Sequence, residues 1–182
     1  LSKLLLKRIL LYDKYLNSFI YINEKEVLKR AKLLDYEINI GKYRGLLHGV
    51  PISIKDAFDM LGVPTTVGSK VFLDSYPSKN SNVVKKLLNA GSIILGKNET
   101  TEFCFGGPSS DSAFLPAKNP WDLNRWTGGS SGGGAAAVAS QLCFGSIGTD
   151  TGGSVRLPAA WCGIVGFMPT PGSISRTGVF EL

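Results

Sequence analysis

The chain has 182 residues, of which 22 are glycine, three cysteine and one histidine; 43% are hydrophobic and 19% charged, and the net charge is +6. That length supports a sizeable core, and the composition excludes disordered and collagen-like chains. A single histidine excludes a His-rich metal site, and Cys104, Cys143 and Cys162 are too few and too widely spaced for a disulfide framework or a CxxC pair.

No apolar run approaches the ~18 residues of a membrane span. Leu4 to Leu11 contains Lys7 and Arg8 and lacks a small-residue cleavage site, so it makes a poor signal peptide. With unpaired cysteines, a reducing cytoplasmic setting is expected. The charge is uneven: residues 1–100 carry 16 Lys+Arg and 9 Asp+Glu, whereas residues 101–182 carry 4 and 5. Glycine runs the other way, with 7 in the first stretch and 15 in the second.

In chain order, Leu4, Leu5, Ile9, Leu11, Tyr12, Leu16 and Phe19 recur at helical spacing, with Ser2 as the expected cap. Asn23 opens a second helix running to about Ile38 and ended by Gly41, with Glu26 and Arg30 as an i,i+4 ion pair. The basic residues of this helical front read as a solvated face rather than a nucleic-acid surface, since no aromatic residues interleave with them. From Gly45 the texture changes. Val50-Pro51-Ile52-Ser53-Ile54 reads as a buried strand ending at Lys55. Asn82 to Ala90 reads as a short amphipathic helix stopped by Gly91, and Ser92 to Gly96 as an apolar strand. Ala135 to Gln141 reads as a small-residue helix, and Phe144–Thr149 and Gly163–Phe167 as further strands. Helices alternating with buried strands make an α/β layer.

Three places carry possible chemistry. Gly128 to Gly134 contains Ser130 and Ser131 and runs into Ala135. A glycine-rich turn at a helix start presents N–H groups and a positive dipole end to an anion or oxyanion, or simply packs a helix tightly. No Lys-Ser/Thr pair follows, so it is not a Walker A loop. The second place is Gly148-Thr149-Asp150-Thr151-Gly152-Gly153-Ser154-Val155-Arg156. There a strand ends at a Gly-Gly turn that presents Ser154, by analogy with a nucleophile elbow. Thr149 and Asp150 are expected to hold the loop. The third is Lys55. It either snorkels to water or is buried, in which case desolvation lowers its pKa and frees an amine as general base. His48, among apolar neighbours, reads as a structural histidine, and the cysteines as small core residues.

Taken together, these segments resemble the amidase signature family. The match runs through Leu47-His48-Gly49-Val50-Pro51-Ile52, Lys55-Asp56, Gly62-Val63-Pro64, Gly96-Lys97, Asn119-Pro120-Trp121-Asp122, Gly129-Ser130-Ser131-Gly132-Gly133, Gly148 to Arg156 and Pro158-Ala159-Ala160. The resemblance implies an α/β/α sandwich with a central mixed sheet, here truncated at its C-terminal side. Residues 1–44 would be a helical front and 45–182 a catalytic core segment of one amidase domain. It implies Ser154 as nucleophile, Ser130 in a cis peptide bridging it to Lys55, and an oxyanion hole from the N–H groups of Thr151, Gly152, Gly153 and Ser154. Ser131, Asp150 and Arg156 would support the loop. The substrate would be a small-molecule amide, with no metal or cofactor and no membrane partner; a homodimer is compatible with it.

Leu157 after Arg156, Gly107 to Ser112 and the Arg176-Thr177-Gly178 ending differ from the tRNA-dependent amidotransferase A subunits and favour a free-standing amidase. The alternatives are such an A subunit, with partner subunits and tRNA, and an inactive scaffold or RNA-binding fragment. Family members extend well beyond this length, so the chain is expected to be the front of a larger protein. In isolation it would expose apolar sheet edges.

Overall fold

The computed structural model describes residues 1–181. Its first helix, α1, spans Ser2–Leu16 and buries Leu5, Leu6, Ile9 and Leu16. The cap is Leu1, without a side-chain bond, and Ser2 lies inside the helix, where it is buried. The helix also stops before Phe19. Asn17 takes a left-handed conformation, and the Asp13 carboxylate accepts the N–H groups of Ser18 (2.9 Å) and Phe19 (3.1 Å) and the Ser18 hydroxyl. That local trap frees β1, Phe19–Ile22, a strand that helical periodicity did not reveal.

Helix α2, Glu24–Asn39, starts as its sequence indicates, with the Asn23 side chain accepting Glu26 N–H. The expected Glu26–Arg30 pair is absent among the described residues. Glu26 meets Lys29 at 3.8 Å on the exposed face, while Arg30 turns inward and donates to the carbonyls of Ser92 and Leu88. It thereby satisfies the C-terminal carbonyl end of α3, Asn82–Asn89, where unpaired acceptors favour a cation.

The central sheet is mixed. Strand β2, Pro51–Lys55, lies parallel to β3, Ile93–Asn98, and parallel to the short β6, Ser146–Ile147; β1 runs antiparallel to β3, giving the order β1-β3-β2-β6. Every residue of β2 and β3 is buried. One face packs Ile93 and Leu95 against α1, α2 and α4, Gly132–Ala139; the other packs Ile52, Ile54 and Ile94 against Val84 of α3 and the segment around Phe58 and Val67. Two-residue alternation along β2 puts Ile52 and Ile54 on the α3 side, and hence Ser53 and Lys55 on the α4 side. Ser53 Oγ duly meets Cys143 Sγ there, at 3.4 Å. The register slips by one residue between Ile52 and Ile54, so that Ile54 pairs with Lys97.

A hairpin of β4, Lys118–Asn119, and β5, Asp122–Trp126, was not foreseen, nor was α5, Arg156–Cys162. The two interlock. Asn119 Nδ2 donates to Trp161 O at 3.0 Å, and Trp121 Nε1 to Cys162 O at 2.8 Å, closing the end of α5 from outside. The strand expected at Gly163–Phe167 does not form. Gly163 instead ends α5 in a left-handed conformation, and Val165 and Phe167 are exposed, with no neighbouring strand to pair with among the described residues. No helix of the described residues is long and apolar enough to cross a membrane.

Candidate active site

Strand β2 delivers Lys55 to the start of α4. Lys55 is 1% exposed, and its Nζ lies 2.7 Å from Ser130 Oγ and 2.7 Å from Thr149 Oγ1. Burial pushes this amine below the ordinary lysine range. The Cys104 thiol, Glu99 and Asp150 oppose that fall by favouring the ammonium. A buried lysine with two hydroxyl partners and no carboxylate in ion-pair contact is suited to hold and release a proton.

Ser130 is buried, and the Gly129–Ser130 peptide bond is cis. Trp126 packs closely on Gly129, and its ring meets that of Trp161 edge to face at 5.9 Å. Helix α4 begins inside the glycine tract, three residues earlier than the alanine run alone indicates. The glycines are sterically required there. A Cβ at Gly133 would lie 2.5 Å from Ser18 O and 2.6 Å from Glu99 N, so the helix start is pressed directly onto the end of β3.

The Ser154 segment joins β6 to α5 as a strand-turn-helix. Ser131 clasps it twice: its N–H donates to Ser154 O at 3.0 Å and its hydroxyl to Thr149 O at 3.2 Å. Asp150 organises the turn, accepting the N–H groups of Gly153 (2.7 Å), Val155 (3.1 Å) and Arg156 (3.2 Å) and a two-point ion pair from the Arg156 guanidinium (3.0 and 2.9 Å). The Arg156 bond, ahead of the backbone donors, holds the Asp150 carboxyl well below the usual carboxylate range.

Ser154 itself is half-buried, and its hydroxyl makes no hydrogen bond among the described residues. Lys55 and Ser130 are therefore in contact, whereas Ser154 has no hydrogen bond to either. Of the four N–H groups expected to form an oxyanion hole, that of Gly153 is engaged by Asp150; those of Thr151, Gly152 and Ser154 have no acceptor among the described residues. Sequence reasoning missed Thr149 as a direct partner of Lys55 and assigned it only to the loop. It also missed Glu99, buried beneath Gly132 and Gly133. Thr149 stood inside the Gly148 to Arg156 motif with nothing to show that it faces Lys55, and no motif marked Glu99.

His48 is structural: its Nδ1 accepts Arg44 N–H at 3.1 Å, its Nε2 faces Leu34 O at 3.0 Å, and its ring stacks on Tyr43. The three cysteines are buried and free, and burial pushes the Cys143 and Cys162 thiols up to about 11, against nucleophilic use.

A mixed sheet between helical layers, with a buried lysine beside a Gly-Ser-Ser-Gly helix start, defines an amidase-signature architecture. The Amidase family model matches residues 1–182, and the chain belongs to that family. It is 47% identical to the A subunit of the glutamyl-tRNA(Gln) amidotransferase of Prochlorococcus marinus, over 92% of this chain and 34% of that protein. Among solved structures it resembles the peptide amidase of Stenotrophomonas maltophilia (34% identity, TM-score 0.92, 99% of this chain and 38% of that one). It also resembles the A subunit of the glutamyl-tRNA(Gln) amidotransferase of Thermotoga maritima (38% identity, TM-score 0.84, 99% and 37%). The chain thus spans little more than a third of the length of these relatives.

Proposed function

We propose that this chain carries the catalytic front of an enzyme that hydrolyses a carboxamide C–N bond through an acyl-enzyme on Ser154. The single observation behind this is the contact of buried Lys55 Nζ with Ser130 Oγ at 2.7 Å. Ser154 Oγ attacks the amide carbon while its proton passes to Ser130, whose own proton passes to neutral Lys55. Lys55 then returns a proton along the same path to the departing amine. Water repeats the sequence on the ester and frees the acid. Backbone N–H groups of the Thr151–Ser154 turn receive the oxyanion, a role worth about 10²–10³ in rate per donor. The gap between Ser154 and Ser130 closes when substrate seats, as catalytic hydrogen bonds often tighten only in the complex.

The A subunit of a tRNA-dependent amidotransferase is the alternative. There the same residues release ammonia from glutamine, and partner subunits receive it. The 47% identity to a protein of that name favours it. Contact geometry around Lys55 is the same for both, so the two differ in the amide and in the company the protein keeps. The free, buried thiols fit a reducing cytoplasm in either case.

The test uses the whole protein. A fluorophosphonate probe should label Ser154, and Ser154→Ala, Ser130→Ala and Lys55→Ala should each abolish or strongly slow labelling. A folded protein that the probe leaves unmodified sinks the proposal. Turnover of simple carboxamides by the purified protein alone supports the amidase; glutaminase activity only with co-purifying subunits supports the amidotransferase.

A further inference from the structure

Asp56 and Asp150 each have a cationic partner; Glu99, 3% exposed, has none in ion-pair contact among the described residues. It follows the last residue of β3, and its N–H donates to Ser18 O at 3.0 Å. Its side chain runs beneath the first turn of α4. A Cβ at Gly132 would lie 3.6 Å from Glu99 Oε2, and the carboxylate faces the backbone N–H groups of Gly133 and Ala117.

This placement fills a role that the local sequence leaves open. The first N–H groups of any helix lack intrahelical acceptors, and a capping side chain normally supplies one. At α4 the cap residue is Ser131, which makes no side-chain cap bond because its hydroxyl is directed to Thr149 O. Glu99, on another element, brings a carboxylate to this turn, its Oε2 3.6 Å from where a Gly132 Cβ would stand. Ser130 precedes that helix turn directly, and Lys55 is held against it.

We propose that Glu99 is a positioning residue of the Lys55–Ser130 pair, its carboxyl tying the first turn of α4 to the Ala117 segment and so fixing where Ser130 stands against Lys55. The proposal rests on the assignment of Lys55, Ser130 and Ser154 as the reacting set.

Burial pushes the Glu99 carboxyl up to about 8, and Lys55 is the charged group that pulls it down. Conversely, Glu99 favours the ammonium of Lys55. The two therefore titrate as a coupled pair. The other charged or titratable groups around them are Cys104 and Asp150, which face Lys55. Arg156 neutralises Asp150, and the Lys97–Asp56 pair lies on the α3 side of the sheet. Asp13, at the end of α1, binds the Ser18 segment, and exposed Lys118 follows Ala117. Near neutrality Glu99 carries its proton. Its ionisation changes the basicity of Lys55 and leaves an inflection near pH 8 in any rate that depends on that amine.

The experiment follows the rate of fluorophosphonate labelling against pH in the whole protein, for wild type, Ser154→Ala, Glu99→Gln and Glu99→Ala, with thermal melts alongside. Wild type should show an inflection near pH 8. Glu99→Gln keeps an acceptor for the two N–H groups and should still label, with the inflection gone. Glu99→Ala loses the tie and should label at least about tenfold more slowly. Superimposable wild-type and Glu99→Gln profiles overturn the proposal while leaving the Ser154 chemistry intact. Folded Glu99→Ala labelled at the wild-type rate overturns it as well. Folded wild type labelled no more than Ser154→Ala removes the catalytic assignment, and this proposal with it.

Discussion

Lys97 and Asp56 form an ion pair sealed from solvent, Nζ to Oδ1 at 2.8 Å, with both side chains fully buried. The remaining ammonium hydrogens go to Pro64 O (2.8 Å) and Thr65 Oγ1 (3.0 Å), and the second carboxylate oxygen takes Thr66 N–H (3.0 Å) and the Thr66 hydroxyl. The one-residue slip in β3 makes this pair. It sets Lys97 opposite Ile54 and so on the same face as Asp56, while Lys55 points the other way.

Removing one partner leaves an uncompensated buried charge. Lys97→Met in the whole protein should therefore lower unfolding free energy by about 3–5 kcal/mol, read by denaturant titration. Because Asp56 follows Lys55, labelling of Ser154 should fall as well. The double variant Lys97→Met/Asp56→Leu should recover much of the stability, since both charges are then gone.

Lys55 yields a prediction of opposite sign. Its folded-state pKa lies below the unfolded one, so between those two values the unfolded chain binds more protons and stability rises with pH, levelling off once the unfolded lysine has titrated at about 10.4. Lys55→Met removes that cost and should raise the melting temperature at neutral pH while abolishing activity. In the wild-type enzyme kcat/KM should rise with pH as Lys55 loses its proton, with a midpoint below the ordinary lysine value. Lys55→Arg, permanently charged, should be inactive.

What the sequence made legible divides along physical lines. Strand β2 and the α3–β3 unit were readable because their apolar residues are continuous or periodic and their ends carry Gly91 and Lys55. The candidate residues Lys55, Ser130 and Ser154 were readable because the segments that hold them resemble a family motif. Strand β1 was not, because Asp13 ends α1 through side-chain bonds that no periodicity records. Arg30 was misassigned because an i,i+4 partner was visible in sequence, whereas the Leu88 and Ser92 carbonyls that hold it lie 58 and 62 residues away. Glu99 and Thr149 act through tertiary contacts alone. The failed strand at Gly163–Phe167 had the right composition and no partner among the described residues, and a strand is defined by pairing.

The Asp150–Arg156 clasp predicts an acid limit. Asp150 is depressed in the folded state, chiefly by Arg156, so its contribution to stability is fully present above the ordinary aspartate pKa and is lost as pH falls through the folded value. Asp150→Asn loses that contribution at every pH. Its deficit against wild type should therefore be full at neutral pH and shrink only in strong acid, as measured by melts across the acid range. At neutral pH the variant should also slow Ser154 labelling, since three N–H groups of the turn lose a charged acceptor. Arg156→Lys should substitute poorly for the native residue, because an ammonium cannot reproduce the two-point contact.

Gly133→Ala tests whether the helix start is fixed by contact or merely by backbone preference. Gly133 is not left-handed, so alanine there has no conformational penalty, and in a helix it is intrinsically favoured by about 1 kcal/mol. Packing opposes it: the new Cβ would fall 2.5 Å from Ser18 O and 2.6 Å from Glu99 N, both backbone atoms that cannot swing aside. Overpacking of this kind costs about 1–3 kcal/mol, occasionally more, which exceeds the propensity gain. The variant should be destabilised in a denaturant titration. The displacement should also pass to Ser130, three residues earlier, so labelling of Ser154 should slow more than the stability loss alone explains. Gly145→Ala, where nothing lies within 4 Å of the added methyl, serves as the control and should leave both measurements near wild type.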